Sequence, residues 1–213
     1  MRGFFEYSIF VCIAAPLLVG IFFLRGRTLR MMIFMLAGMG MCLLSAYINT
    51  FLAALQGADL LSASLEISPL VEEVMKLMPV FFYLIVFGAD AGDAADAVLM
   101  TAAGFATFEN VCYLTQNGAD MLFDLAVRGF GAGAMHIVCG FITAFGIVHL
   151  WKRKWIRTAG TLAFLLAASV YHGIYNILVS QSCDAAYIGY IIPLVTAAVL
   201  IIVKVRLNRR KTM

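Results

Sequence analysis

The chain has 213 residues, of which 63% are hydrophobic and 13% charged, and its formal net charge is +3. A soluble globular domain has no use for so much apolar surface, so lipid is the expected solvent. The length accommodates about seven helices of roughly 20 residues, as a single membrane domain over residues 1–213, and leaves no room for a sizeable soluble domain. Basic residues lie beside apolar runs, where the positive-inside bias accounts for them without a nucleic-acid partner.

The first apolar run, Phe4 to Leu24, lacks a small-residue cleavage site before the basic segment Arg25 to Arg30 and reads as a retained span. Further runs extend from Met31 to Leu55, Pro69 to Phe87, Ala97 to Gln116, Gly129 to Trp151, Thr158 to Ser180 and Ala186 to Val203. Open sheets cannot satisfy their backbone in lipid, and no period-two alternation suggests a barrel. The predicted class is therefore all-α and polytopic, with about seven transmembrane helices. Basic residues follow the first span (Arg25, Arg27, Arg30), the fifth (Lys152, Arg153, Lys154, Arg157) and the seventh (Lys204 through Lys211), while only Arg2 and Arg128 fall on the other side. The positive-inside rule then predicts an outer N-terminus and a cytoplasmic C-terminus. The loop from Gly88 to Asp96 departs from that pattern: it carries Asp90, Asp93 and Asp96 with no basic residue, and reads as a solvated turn. The five cysteines (Cys12, Cys42, Cys112, Cys139, Cys183) are isolated, which suits packing rather than disulfides or a metal cluster.

A charged group at mid-bilayer costs about 2.5 to 3.5 kcal/mol on insertion scales, so ionisable residues inside spans are candidates for function. They are Glu72, Glu73 and Lys76 in the third span, Glu109 in the fourth, His136 in the fifth and His172 in the sixth. With 1.5 Å of rise per residue, all lie roughly 5 to 12 Å below the outer ends of their helices, in one layer. Lys76 shares a helix face with Glu72 and Glu73, Asn176 lies beside His172 with Tyr175 close, and Tyr113 lies beside Glu109. Pro79 removes the amide partner of the Met75 carbonyl just beyond the acidic pair. Gly129, Gly131, Gly133 and Gly140 thin the fifth helix around His136 and favour close helix approach. Taken singly, these signals have plain explanations. Ser68 and Pro69 resemble a helix start, which would favour Glu72 and Glu73 as anions near an N-terminus. A single buried histidine is commonly an interhelical hydrogen-bonding residue. Two histidines and three carboxylates at one depth instead point to a divalent-metal site. His149, beside Trp151 and Lys152, reads as an interfacial anchor.

Four strings in family order carry a resemblance: Glu72-Glu73-Val74-Met75-Lys76 (EExxK), Phe108-Glu109 through Tyr113 (FExxxY), His136 through Gly140 (HxxxG) and His172-Gly173-Ile174-Tyr175-Asn176 (HxxYN). Together they resemble the PrsW family, within a wider group that includes type II CAAX prenyl endopeptidases and the APH-1 scaffold subunit of γ-secretase. The resemblance implies a membrane metalloprotease with its catalytic core in residues 68–180. Its implied substrate is a single-pass membrane protein, such as an anti-sigma factor, cleaved near the extracytoplasmic face.

Peptide hydrolysis in a membrane needs an activated water, an oxyanion stabiliser and a wet cavity. The expected roles are Glu72 as general base, Glu73 as its partner or a ligand, and Lys76 as charge balancer. Glu109, His136 and His172 are the expected Zn²⁺ ligands, and Tyr175 and Asn176 the oxyanion donors. Three other readings compete: a metal-free, glutamate-dependent CAAX-type protease, a non-enzymatic APH-1-like scaffold, and an ion or proton transporter. A scaffold gives no reason to keep adjacent carboxylates in an apolar layer. A transporter needs an ionisable path that continues into the inner half, and none is present.

Overall fold

The computed structural model describes residues 2–117, 122–151, 153–181 and 184–211; Lys152, Cys183 and the side chains of residues 2–5 and of residues 207–211 lie outside that part. Among the described residues there are seven helices of at least 19 residues and no strand. They are α1 (Arg2–Ile21), α2 (Gly26–Gln56), α3 (Ser68–Val86), α4 (Ala91–Asn117), α5 (Leu122–Leu150), α6 (Arg157–Ser180) and α7 (Asp184–Lys211). Five of these, α2 and α4 to α7, are long and apolar enough to cross a membrane, which makes the chain a multi-pass membrane protein. Of the other two expected spans, α1 is apolar over Glu6–Ile21, the part of it whose side chains are described. In α3, Glu72, Glu73 and Lys76 interrupt the apolar run.

The start of α3 is not where Ser68 and Pro69 suggest. The chain is already helical before them, as one α-turn (Leu60–Ser62) and one π-turn (Ala63–Ile67) that run directly into Ser68. The N-cap is Asp59, whose Oδ1 accepts from the Ser62 amide at 2.7 Å. That hydrogen bond also holds the Asp59 carboxyl below its ordinary value. Glu72 and Glu73 therefore stand well inside continuous helix, beyond the first-turn reach of the N-terminal dipole. Proximity to a helix end no longer explains two adjacent acids in an apolar setting.

Contacts near the helix ends fix the alternation of the bundle. Arg30 pairs with Asp93 at 2.8 Å, and Arg27 pairs with Asp96, which joins the α1–α2 turn to the start of α4. Asp90 caps α4, accepting from the amides of Gly92 and Asp93 at 2.7 and 2.9 Å. The acidic loop is thus an internal counter-charge for the α2 arginines, and its departure from the positive-inside pattern has a structural cause. Phe81 of α3 stacks on Trp151 at the end of α5, with ring centroids 5.9 Å apart, so the α5–α6 turn lies at this same end.

Apolar packing holds the helices in three clusters. One joins Phe34, Leu77, Val80, Leu84, Val98, Ile147 and Leu165 across five helices. A second seats α1 on α2 and α4 through Ala14, Met39, Phe105 and Phe108, and a third joins α5 to α6 through Met135, Cys139, Ala168 and Tyr175. A close approach that local sequence does not announce lies between α2 and α4. A Cβ on Gly104 would lie 1.9 Å from the Met35 carbonyl oxygen, and one on Gly38 would lie 2.1 Å from that of Thr101. Among the expected α5 glycines, Gly131 and Gly140 do lie against neighbours, Tyr190 and Ala102, whereas Gly129 and Gly133 face open space. Cys42 and Cys139 are buried as single packing residues.

Because backbone cannot yield as a flexible side chain can, Gly104→Ala is expected to destabilise the bundle by about 1 to 3 kcal/mol. Gly20→Ala, where a Cβ would meet nothing within 4 Å, should leave stability unchanged or slightly raised. Thermal unfolding in detergent, compared with the parent, checks both.

Candidate active site

Glu73 and Lys76 lie one turn apart on the face of α3 that meets α5 and α6, and both are buried, with 3% and 5% of their side chains exposed. Their ion pair is the seed of the site. An ammonium or a carboxylate alone in this interior would cost several kcal/mol, so each must be paired and further hydrogen-bonded. Lys76 Nζ donates to Glu73 Oε1, lies 2.9 Å from His136 Nδ1 and stands 5.0 Å from the centre of the Phe105 ring. A lysine ammonium only donates, so His136 Nδ1 is the acceptor and Nε2 carries the hydrogen shared with Glu109 Oε2. On the other side, His172 Nδ1 donates to Glu73 Oε1 at 2.8 Å, so the neutral ring has its lone pair on Nε2. The two imidazole rings meet edge to face, 5.1 Å between centroids.

Glu72 occupies what remains. Its Oε2 is buried, has no hydrogen-bond partner among the described residues, and faces His172 Nε2 at 3.7 Å. Two acceptors turned toward each other without a donor between them leave a deficit of positive charge. One ligand atom each from Glu72, His136 and His172 lie within 4.8 Å of one another, so these three residues fit a metal ion, which at His136 would take the place of the Nε2 hydrogen now shared with Glu109. Glu73 has the place of the carboxylate that orients a ligand histidine through its other nitrogen.

Glu109 sits differently from the role expected of it. It is the most open of the three acids, with 32% of its side chain exposed, and besides His136 it contacts Arg128 at 3.4 Å. Arg128, on α5, also donates to Asn110 Oδ1 and lies over the Tyr113 ring at 3.5 Å, while Asn110 donates to the Gly129 carbonyl at 3.2 Å. Glu72, Glu109, Arg128 and Asn49 line one cavity of about 230 Å³. Arg128 is a member of the site that was not among the expected residues. Its signal was position: a basic residue on the side of the membrane that the positive-inside rule leaves nearly free of them.

Two expected members stand elsewhere. Asn176 donates to the Ser64 carbonyl at 2.8 Å, tying α6 to the π-turn before α3. Tyr175 packs in the α5–α6 cluster with its ring 6.1 Å from that of Tyr190. Neither makes a hydrogen bond to Glu72, His136 or His172 among the described residues: Asn176 shares the His172 face but is engaged by the Ser64 carbonyl, and Tyr175 is held in the α5–α6 packing. His149 stacks on Phe145 and bonds its carbonyl, apart from the site.

Compared with known families, the chain matches the PrsW family intramembrane metalloprotease over residues 25–204. It belongs to that family. The match takes in α2 to α6 and most of α7, and the four sequence strings fall inside it. This PrsW-family chain is thus a membrane protease of a class that implies a metal cofactor, and its Glu72, His136 and His172 cluster fits one. No curated protein and no solved structure matches it.

Removing only the cation should be the harsher change. Lys76→Met leaves Glu73 buried without its counter-charge and is expected to cost about 3 to 5 kcal/mol. Adding Glu73→Gln should recover a large part of that loss, since the uncompensated charge goes while an acceptor for His172 stays. Thermal unfolding of the two single variants and the double variant checks this; strictly additive losses would refute a coupled pair.

Proposed function

We propose that this protease cleaves single-pass membrane proteins, of the anti-sigma factor kind, near the extracytoplasmic face, with Zn²⁺ held by Glu72, His136 and His172. The observation that carries the assignment is the orphaned Oε2 of Glu72 facing the free Nε2 of His172. Two imidazoles and one carboxylate are a donor set suited to catalytic zinc, with a position left open. A zinc ion there would polarise the scissile carbonyl and acidify the attacking water.

In this reading Glu72 and Glu109 exchange the roles expected from sequence. Glu109 borders the cavity, is the carboxylate most open to water, and is oriented by Arg128, so it takes the proton from the attacking water and returns it to the leaving amine. Arg128, lining the same cavity, supplies positive charge beside the developing oxyanion in place of Asn176 and Tyr175. Glu73 and Lys76 hold the histidines in place, and Asn176 braces α6. The catalytic core in this proposal is residues 68–180. The basic turns at the other end of the bundle support an outer-leaflet site, with the N-terminus outside and the C-terminus in the cytoplasm.

Glu109→Gln is expected to keep its metal and lose a factor of about a hundred to ten thousand in kcat. Glu72→Gln and His172→Ala should lose both metal and activity. Metal content of purified variants, with cleavage of a single-pass substrate measured in parallel, decides the matter. A metal-free Glu109→Gln beside a metal-loaded, inactive Glu72→Gln would restore the sequence-based roles, and unchanged cleavage in every variant would remove the enzymatic reading.

Topology has its own check. Single cysteines placed at Arg153 and Lys154 should resist a membrane-impermeant thiol reagent in right-side-out vesicles and react in inverted ones; the opposite pattern would overturn the orientation.

A further inference from the structure

A second cavity, larger than the one beside Glu72 and Glu109, lies elsewhere. A groove of about 500 Å³ runs between α3 and α6 at the end of the bundle away from Glu72, floored by Leu77, Phe81 and Leu84 of α3 and by Leu162 and Leu165 of α6. Trp151 and Arg157 close one end, with the guanidinium 5.0 Å from the centre of the indole ring. Trp155, 83% exposed, stands on the same turn, as expected of an aromatic residue at a membrane interface.

The charges at this end are of two kinds. Arg27 and Arg30 are neutralised within the chain by Asp96 and Asp93. Among the described residues no carboxylate pairs with Arg153, Lys154 or Arg157, although the acidic loop lies at the same end. An apolar slot that opens beside uncompensated cations at an interface is complementary to a molecule with an anionic head and a hydrocarbon tail.

We propose that the groove between α3 and α6 binds an anionic glycerophospholipid of the surrounding bilayer, with its phosphate on Arg157 and the neighbouring Arg153 and Lys154, and an acyl chain along Leu77, Phe81 and Leu165. A free phosphate would leave the apolar slot unfilled. A zwitterionic lipid would place its own cation against Arg157, and lipid recognition by basic pockets between membrane helices follows this logic. The occupant also bridges the two helices that carry Glu72, Glu73 and His172: Leu77 directly follows Lys76, and Leu165 lies two turns before His172. Filling the groove braces α3 against α6 and so supports the relative position of the acidic pair and the histidine.

The test uses the full chain in detergent, delipidated and then titrated with phosphatidylglycerol or phosphatidylcholine, with bound lipid counted by native mass spectrometry and thermal stability followed in parallel. The expected result is preferential retention of phosphatidylglycerol and a rise in unfolding temperature that phosphatidylcholine does not reproduce. Arg157→Gln should weaken phosphatidylglycerol binding about five-fold, the effect of one basic residue near the membrane surface. Leu162→Trp, which fills the slot and keeps every charge, should also abolish retention. Lys204→Gln removes an exposed cation outside the groove lining and should change nothing. Equal loss in the Arg157 and Lys204 variants would mean diffuse surface charge, and equal binding of the two lipids would mean apolar filling alone. Undiminished retention by Leu162→Trp would place the lipid elsewhere, and any of these three results overturns the proposal.

Discussion

An ammonium and a carboxylate buried in an apolar bundle are tolerated only when the surroundings complete their hydrogen bonding, and the Lys76–Glu73 pair imposes that demand here. Spaced three residues apart, both are pointed by one turn of α3 at α5 and α6, and each helix answers with a histidine. The pair then determines which ring nitrogen of each histidine is occupied. Nδ1 is taken on both rings, by Lys76 on one side and by Glu73 on the other; His136 then gives its Nε2 hydrogen to Glu109, while His172 Nε2 is turned toward Glu72. The neighbouring Glu72 is left with an oxygen that no donor reaches. Stability and chemistry thus have a common origin, since the groups that settle the buried charge are also those that orient the metal-competent atoms.

The backbone supports this layer by close approach. Gly38 and Gly104 bring α2 against α4 at distances no Cβ would permit, which sets Phe105 under Lys76 and Phe108 against α1. Carrying no side chain is useful in a membrane, where apolar side chains gain little by leaving lipid and helices associate through contact area and hydrogen bonds. The helix before α3 serves a related end. By starting at Asp59 it carries the acidic pair away from a helix terminus, and its π-turn offers the Ser64 carbonyl to Asn176.

The two ends of the bundle divide the work. One holds the cavity lined by Glu72, Glu109 and Arg128, and the other holds internal ion pairs and an apolar groove beside unpaired cations. The active-site helices α3 and α6 run between them. The relative position of Glu73 and His172, one on each of these two helices, depends on one hydrogen bond.

Much of this was legible in the residues alone. Composition and run length determine an all-helical membrane protein, because lipid permits few other backbones. Basic turns and a uniform depth single out Glu72, Glu73, Lys76, Glu109, His136 and His172, because a charge in an apolar span is costly wherever it has no purpose. Spacing pairs Lys76 with Glu73, since helical neighbours are set by local geometry. Only the tertiary structure decided that Glu72, rather than Glu109, is grouped with both histidines, that Arg128 belongs to the cavity, and that Asn176 is engaged by Ser64 and Tyr175 by the α5–α6 packing. Those outcomes depend on how α3 to α6 are rotated about their own axes when they pack. That rotation is set by glycine contacts and by hydrogen bonds between residues sixty to a hundred positions apart, which no local periodicity encodes.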